Sequence, residues 1–276
     1  MAAAPKLASQ RLKMPIHFAF SYDEEVGCVG VRTLLDDLRQ KGMRFEGCIV
    51  GEPTGMAVAI GHKGKRSLRA TITGTSGHSC QAPQLVNAVE HGARIAAKIC
   101  DIGRDLARNG LRDPLYDIQH TTSHVGVFQG GTALNIVPDH AVLDFEFRVL
   151  PDEDADTYVE QISTFIRDVV EPDMRAVNER AGVELVLRAQ FPGLSTPRDA
   201  AIASLAGRFA RTNAVVKVAY GAEAGLFHEY LNVPTVICGP GFIDQAHKPD
   251  EFIALKQIEQ CERFVDGVIQ YAGGSA

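Results

Sequence analysis

The sequence predicts an α/β protein with a smaller α+β unit inserted into it. Near both ends of the chain, short apolar runs typical of strands buried on both faces precede acidic or glycine-rich turns and amphipathic helices. Between them, alternating strands and two helices follow the order of a ferredoxin-like unit. A chain of 276 residues with 45% hydrophobic content can bury two cores. We therefore predict one domain over 1–61 and 191–276 and a second over 62–190.

The first predicted strand, Ile16–Phe20, ends in the acidic run Asp23, Glu24 and Glu25, and a helix follows from about Val29. Three adjacent carboxylates repel one another, so a fold that keeps them together is expected to supply a cation. One of two neighbouring glutamates can bind a metal while the other acts as a base in the hydrolysis of an amide. The alternative is that these acids only begin a helix.

A second strand, over 47–51, is followed at once by Glu52. Pro53 and Gly55 also suit an ordinary turn. Because an apolar strand followed by an acid occurs twice, and open α/β sheets bind ligands at the carboxyl ends of their strands, the repeat favours a metal site.

The inserted unit carries three candidate substrate-binding residues. His78 lies between the first strand of the unit and its helix, where it could bind an oxyanion or simply order the turn. Asn135 and Arg148 could together hold a substrate carboxylate. Arg148 could equally be an exposed charge on an edge strand. The elements predicted here are strands over 67–73, 122–129, 141–149 and 183–188 and helices over 83–100 and 153–170.

The last part of the chain returns to the α/β pattern. Helices are predicted over 199–210 and 253–271, strands over 215–219 and 235–238, and a glycine-punctuated loop over 221–227. His247 follows the last strand, in a loop where many histidines are merely exposed. If His247 joins Glu25 and Glu52 at one sheet edge, the mixed donors favour Zn²⁺ or Co²⁺ over Ca²⁺ or Mg²⁺.

Charge and composition restrict the partners. The net charge of -6 disfavours nucleic acid and anionic membrane surfaces, which leaves a small molecule or a protein. No apolar run reaches the ~18 residues that span a bilayer. The six scattered cysteines predict reduced thiols and a cytoplasmic location. A serine hydrolase is disfavoured because the sequence contains no G-x-S-x-G.

Seven strings carry a family resemblance: FSYDEEVGCVG, IVGEPTGM, GHKGK, TGTSGHSC, GGTALNIVP, GAEAGLF and QAHKPDEF. With them the sequence resembles the aminoacylase and carboxypeptidase-like metallohydrolases, and within these the acetylornithine deacetylase branch. The resemblance implies a zinc-peptidase-like catalytic domain with two Zn²⁺ or Co²⁺ ions, and a lid domain through which the protein forms a homodimer.

The resemblance also implies roles for particular residues. Glu24 corresponds to the general base, and the terminal metal ligands correspond to Glu25, Glu52 and His247. The implied substrate-binding residues are His78, which reaches the site of a neighbouring subunit, Asn135 and Arg148 for the substrate carboxylate, and Gly225 beside the scissile amide.

One departure from the family pattern affects the expected activity. The family's His-x-Asp pair and metal-bridging aspartate, which lie upstream of the two glutamates, have no counterpart before Glu24. We therefore expect an incomplete catalytic domain and little or no activity from this chain alone. In complete form the expected reaction is the conversion of N-acetylornithine to ornithine and acetate in arginine biosynthesis. The alternatives are a succinyl-diaminopimelate desuccinylase, a dipeptidase, or a non-catalytic dimerisation fragment.

Overall fold

The computed structural model describes residues 3–274. Its strands, in chain order, are β1 (Cys48–Val50), β2 (Val58–His62), β3 (Gly64–Thr73), β4 (Gly77–His78), β5 (Thr122–Gly130), β6 (Ile136–Val137), β7 (His140–Val149), β8 (Gly182–Phe191), β9 (Leu194–Ser195), β10 (Val215–Val218) and β11 (Thr235–Ile237). Its α-helices are α1 (Ala4–Ala8), α2 (Val31–Gln40), α3 (Ala88–Asn109), α4 (Ala155–Phe165), α5 (Glu171–Val177), α6 (Ala201–Ala210), α7 (Ala224–Leu231) and α8 (Leu255–Ala272). Among the described residues, no helix is both long and apolar enough to cross a membrane.

The chain folds into two compact units, as the fold class predicted from the sequence requires. One unit comprises Met1–His62 and Pro192–Ala276, and the other comprises Lys63–Phe191. The first has a mixed sheet flanked by helices, and the second has an antiparallel sheet with helices on one face.

The sheet of the first unit has the strand order β1-β11-β2-β10, with the short β9 paired to β2. β1 runs parallel to β11, and β10 runs parallel to β2. Every residue of β2 is buried, because Val58 and Ile60 pack toward Phe209 and Phe264 while Ala59 packs on the other side with Leu194. β2 is missing from the elements predicted from the sequence.

The strand predicted over Ile16–Phe20 is wrong. Residues 15–24 form no strand, and the side chains of Phe18 and Phe20 are 53% and 76% exposed. An apolar run becomes a strand only where a neighbouring strand takes up its backbone hydrogen bonds. In the described residues the sheet begins at β1, and nothing pairs with this run. The helix predicted after it is present as α2, which buries Val31 and Leu35.

The second unit is ferredoxin-like, as predicted. Its sheet has the order β5-β7-β3-β8, and all neighbouring strands are antiparallel. One face packs against α3 and α4 in a core that includes Leu68, Phe145, Phe147, Ile95 and Ile162. This strand order places strands that are far apart in sequence next to each other in one sheet.

The predicted helices of this unit differ at their ends. α3 begins at Ala88 because the side chain of Asn87 accepts hydrogen bonds from the backbone N–H groups of Val89 and Glu90. The predicted helix over 153–170 is α4 followed by a π-helical turn, Ile166–Val170, that leads into α5. Pro172 lies in the first turn of α5, directly after this π-helical turn, and because it has no N–H it donates no hydrogen bond to the preceding turn.

Candidate metal-binding and catalytic site

The predicted base, Glu24, lies in a tight turn of the first unit. Its carbonyl oxygen accepts hydrogen bonds from the N–H groups of Gly27 at 3.0 Å and Cys28 at 2.8 Å. The buried thiol of Cys28 donates to Oε1 of Glu24 at 3.6 Å. Asp23 and Cys28 adopt left-handed φ values of 56° and 57°, which are uncommon for residues other than glycine. The backbone of the acidic turn is therefore held by bonds within the turn and carries local strain.

Glu52 follows β1, and the loop after β11 contacts the same turn. Because the two strands are parallel neighbours, with Val50 opposite Ile237, their following loops leave the same edge of the sheet. The N–H of Gly239 donates to Oγ1 of Thr54 at 3.2 Å. A Cβ atom on Gly239 would lie 2.6 Å from the backbone oxygen of Glu52, so only glycine allows this approach. The loop that carries His247 thus starts beside Glu52.

His247 and Glu25 meet in the structure. The Nε2 atom of His247 lies 3.5 Å from Oε1 of Glu25, and both side chains are largely exposed. The φ of His247 is 59°, and its backbone N–H donates to Oε2 of Glu251 at 3.1 Å. Two of the three metal ligands implied by the resemblance are therefore brought together.

Glu52 lies close enough to the other glutamates to be affected by their charge. Burial, together with the negative charges of Glu24, Glu223 and Glu25, raises the pKa of Glu52 to about 7. Burial also raises the pKa of the Cys28 thiol, and the charges of Glu24 and Glu223 raise it further. Glu24, Glu25, Glu52 and Glu223 therefore lie close enough together in the first unit for their negative charges to repel one another.

Glu223 is a member of this group that the sequence analysis missed. It is 6% exposed, and its Oε2 accepts a hydrogen bond from Oγ of Ser21 at 2.7 Å. Its Oε1 is buried and has no hydrogen-bond partner among the described residues. Burial and the charge of Glu24 raise the pKa of Glu223, while the bond from Ser21 lowers it. A signal was present, since a glutamate surrounded by glycine and alanine in GAEAG is unusual in a buried segment.

These residues fit a divalent cation in charge and in chemistry, but only in part in geometry. A neutral imidazole and several carboxylates suit Zn²⁺ or Co²⁺, and the unpaired Oε1 of Glu223 shows that positive charge or a donor is lacking. Within residues 3–274, however, no group of three or more His, Cys, Asp or Glu side chains is arranged to hold a metal ion. Of the three metal ligands implied by the resemblance, Glu25 and His247 approach each other to 3.5 Å.

Gly225 lies in α7, although the sequence predicted a loop there. Its N–H donates to Nε2 of the buried His62 at 2.9 Å. A Cβ atom at this position would lie 2.5 Å from the backbone oxygen of Pro192. Close packing of the helix start against that backbone explains a glycine here.

In the second unit, His78 and Asn135 are neighbours. β4 pairs with β6, with His78 opposite Ile136, and the N–H of Ser79 donates to the carbonyl oxygen of Asn135 at 2.9 Å. The side chains of His78 and Asn135 are exposed, and Nδ1 of His78 accepts from the N–H of Cys80 at 3.3 Å. This pair is therefore accessible to a ligand.

Arg148 lies elsewhere in the same unit. It is near the end of β7 opposite to His140, a distance of roughly 27 Å along the strand at about 3.4 Å per residue. Its Nε donates to Oε1 of Glu146 at 2.8 Å, and Lys65 also pairs with Glu146. Burial raises the pKa of Glu146, but the hydrogen bond and charge of Arg148 and the charge of Lys65 outweigh it, so the pKa is lowered. Within this unit, the structure does not bring Arg148 beside His78 and Asn135.

A shallow cavity of about 350 Å³ lies in the first unit, in the range of small-ligand sites. Its walls come from the turn after Glu52 and from the loop that carries His247. They are mainly apolar and are formed by Pro53, Pro240, Gly241, Phe242, Gln245, Ala246, Glu251, Phe252 and Ile253.

Comparison with known proteins identifies relatives of this chain. Residues 60–174 match the peptidase dimerisation domain of the M20 type. The chain is 27% identical over 265 residues to acetylornithine deacetylase of Photorhabdus laumondii and 29% identical over 266 residues to that of Proteus mirabilis. Each match covers 95% of this chain and 65% of the relative, so the chain spans slightly under two thirds of those proteins.

Solved structures show the same fold. An aminopeptidase PepT from Bacillus cereus matches with a TM-score of 0.70 at 21% identity, over 91% of this chain and 63% of that one. An M20 family metallo-carboxypeptidase from Sulfolobus solfataricus matches with a TM-score of 0.69 at 16% identity, over 91% and 69%. The resemblance predicted from the sequence is thereby supported: the chain is similar to acetylornithine deacetylases, and residues 60–174 match an M20 peptidase dimerisation domain.

Proposed function

We propose that this protein is part of a metal-dependent amidohydrolase that removes the acyl group from an N-acyl amino acid. N-acetylornithine, giving ornithine and acetate in arginine biosynthesis, is the substrate that the relatives named acetylornithine deacetylase support. The observation that carries the proposal is the 3.5 Å approach of His247 to Glu25, next to the base candidate Glu24 and near Glu52, whose pKa is raised by burial and by the neighbouring carboxylates.

The proposed roles follow from the chemistry of each side chain. A Zn²⁺ or Co²⁺ ion at Glu25, Glu52 and His247 would polarise the acyl carbonyl and make water more acidic. Glu24 would take the proton from the attacking water and pass it to the leaving amine nitrogen. His78 would stabilise the oxyanion, and Gly225 would lie beside the amide. Because Asn135 and Arg148 lie apart within one chain, they would bind the same substrate carboxylate only when they come from different subunits of the dimer. Homodimerisation through residues 62–190 is part of the same proposal.

Little activity is expected from this chain by itself. Among the described residues no group of three donors is arranged to hold a metal ion, and a catalytic zinc site takes three protein ligands. We therefore expect weak metal binding and slow or undetectable release of ornithine.

Cobalt binding by the purified chain tests the proposal. Titration with Co²⁺ followed by calorimetry is expected to show saturable binding that weakens at least about tenfold in Glu52→Gln and His247→Ala. Matched controls are Glu259→Gln and His124→Ala, which change exposed side chains away from this site. Equal affinities for the site variants and the controls would exclude a cation site at these residues.

A second candidate function is a non-catalytic dimerisation module. It is supported by the match of residues 60–174 to a dimerisation domain. Sedimentation of the purified chain, combined with its metal content, separates the two candidates. A dimer that takes up neither zinc nor cobalt favours the module, while stoichiometric metal uptake favours the amidohydrolase.

A further inference from the structure

The side chain of Glu223 is buried without adequate compensation. It is 6% exposed, only Oε2 has a hydrogen-bond partner among the described residues, and no basic side chain is paired with it there. Leaving a buried carboxylate oxygen without a hydrogen-bond partner lowers the stability of the folded state. Folding stability therefore does not explain why a glutamate occupies this position.

The single partner of Glu223 lies just before the acidic turn. Ser21, whose Oγ donates at 2.7 Å, is in the extended segment that leads to Asp23 and Glu24. That segment has no strand partner in the described part of the chain. Its position therefore depends more than usual on side-chain hydrogen bonds such as that of Ser21.

Glu223 is attached to a closely packed part of the first unit. It immediately precedes α7, whose first turn packs so closely that a Cβ on Gly225 would collide with the backbone of Pro192. The N–H of Gly225 is also bonded to the buried His62. The carboxylate of Glu223 thus connects a segment that has no strand partner to the closely packed start of α7.

We propose that Glu223 is a positioning residue with two separable effects. Its hydrogen bond with Ser21 holds the turn of Glu24 and Glu25 in place, and its negative charge strengthens the attraction of this pocket for a divalent cation. The second effect rests on the proposed function, whereas the first does not.

Three variants separate the two effects. Glu223→Gln keeps an acceptor for Ser21 but removes the charge, Ser21→Ala keeps the charge but removes the bond, and Glu223→Ala removes both. Ser204→Ala, on an exposed position of α6, is the control for a serine substitution.

Hydrogen exchange of the metal-free chain measures the first effect. The amides of Gly27, Cys28 and Val29, which bond to carbonyl oxygens of the turn, are the reporters. They are expected to exchange about tenfold faster in Ser21→Ala and Glu223→Ala, as for loss of a bond to a charged group, and at the wild-type rate in Glu223→Gln and the control. The double variant Ser21→Ala/Glu223→Ala should exchange no faster than Glu223→Ala alone. Wild-type exchange in Glu223→Ala, or additive effects in the double variant, would overturn the positioning role.

Cobalt affinity measures the second effect. Glu223→Gln is expected to bind Co²⁺ about tenfold more weakly, while the metal-free variant unfolds at the same or a higher denaturant concentration than wild type. A merely structural glutamate would give the opposite result, with lower stability and unchanged affinity. If the wild-type chain binds no cobalt at all, the proposed function and the charge effect both fail, and the exchange rates still decide the positioning role.

Discussion

The imidazole Nε2 of His247 lies 3.5 Å from Oε1 of Glu25, although the two residues come from opposite ends of the chain. Neither residue is buried, and neither belongs to a helix or strand. The sheet sets the loop after β11, which carries His247, beside the loop after β1, which carries Glu52, whereas Glu25 reaches His247 from the turn before α2. An ion pair between exposed side chains contributes little to folding stability, so ligand binding is the better explanation for this contact.

The substitution His247→Ala tests whether His247 serves ligand binding or folding stability. Because exposed ion pairs contribute at most about 1 kcal/mol, the free energy of unfolding of the metal-free chain is expected to change by less than that. The affinity for Co²⁺ should fall at least about tenfold. Urea unfolding and calorimetric titration of the same sample make the comparison. A large loss of stability with unchanged affinity would assign His247 a structural role.

Glu52 is expected to make stability depend on pH. Its pKa is raised to about 7 from the model-compound value of 4.5, mainly by burial and then by neighbouring carboxylates. The folded state therefore holds this proton more tightly, and the favourable contribution is present below about pH 4.5 and is lost as the pH rises through 7.

The substitution Glu52→Gln should remove this loss of stability at high pH. In metal-free protein at pH 8 we expect the variant to be more stable than wild type by about 1–2 kcal/mol, with the difference vanishing at pH 4.5. Urea midpoints measured across this range provide the test, and Glu259→Gln is the control. A constant difference at all pH values would contradict the raised pKa.

Much of this site follows from the sequence, and the part that does not has a physical reason. Glu52 and His247 could be singled out because each follows a short apolar strand, and parallel strands end at the same edge. The strand at 16–20 was wrong because apolar composition cannot show whether a neighbour is present to pair with it. β2 was missed because it is short and runs almost directly into β3.

Glu223 and Arg148 show a second limit of the sequence. The glutamate precedes a helix in a segment that reads as a glycine loop, and its partner Ser21 comes from the other end of the chain. Arg148 could be placed on a strand, but its distance from His78 depends on the register of β7 against β3, which pairs it with Lys65. Such long-range pairings are fixed by packing, not by local pattern.

Gly225→Ala is expected to destabilise the first unit. The new methyl group would lie 2.5 Å from the carbonyl oxygen of Pro192 and 2.8 Å from that of Gly193, and backbone atoms cannot move aside easily. Overpacking of this kind costs about 1–3 kcal/mol. Gly126→Ala, where the nearest atom would be 3.6 Å away, is the control. Equal unfolding free energies for the two variants would show that the start of α7 is not tightly packed.

Lys63 should produce a pH dependence of opposite sign in the second unit. It is 1% exposed, its Nζ donates to the carbonyl oxygen of His120, and it lies 5.7 Å from the ring centre of Tyr116. Burial lowers its pKa to about 8 from 10.5, against the raising effect of Glu153. The folded state thus disfavours the proton, so the contribution of this group to stability is present above pH 10.5 and is lost as the pH falls through 8.

Relative to Lys63→Met, the wild-type protein should therefore gain about 1–3 kcal/mol of unfolding free energy between pH 8 and 10.5, measured by urea unfolding. Taking the difference from the variant cancels the thiols and tyrosines that also titrate there, and a flat difference would mean that Lys63 keeps an ordinary pKa in the folded protein.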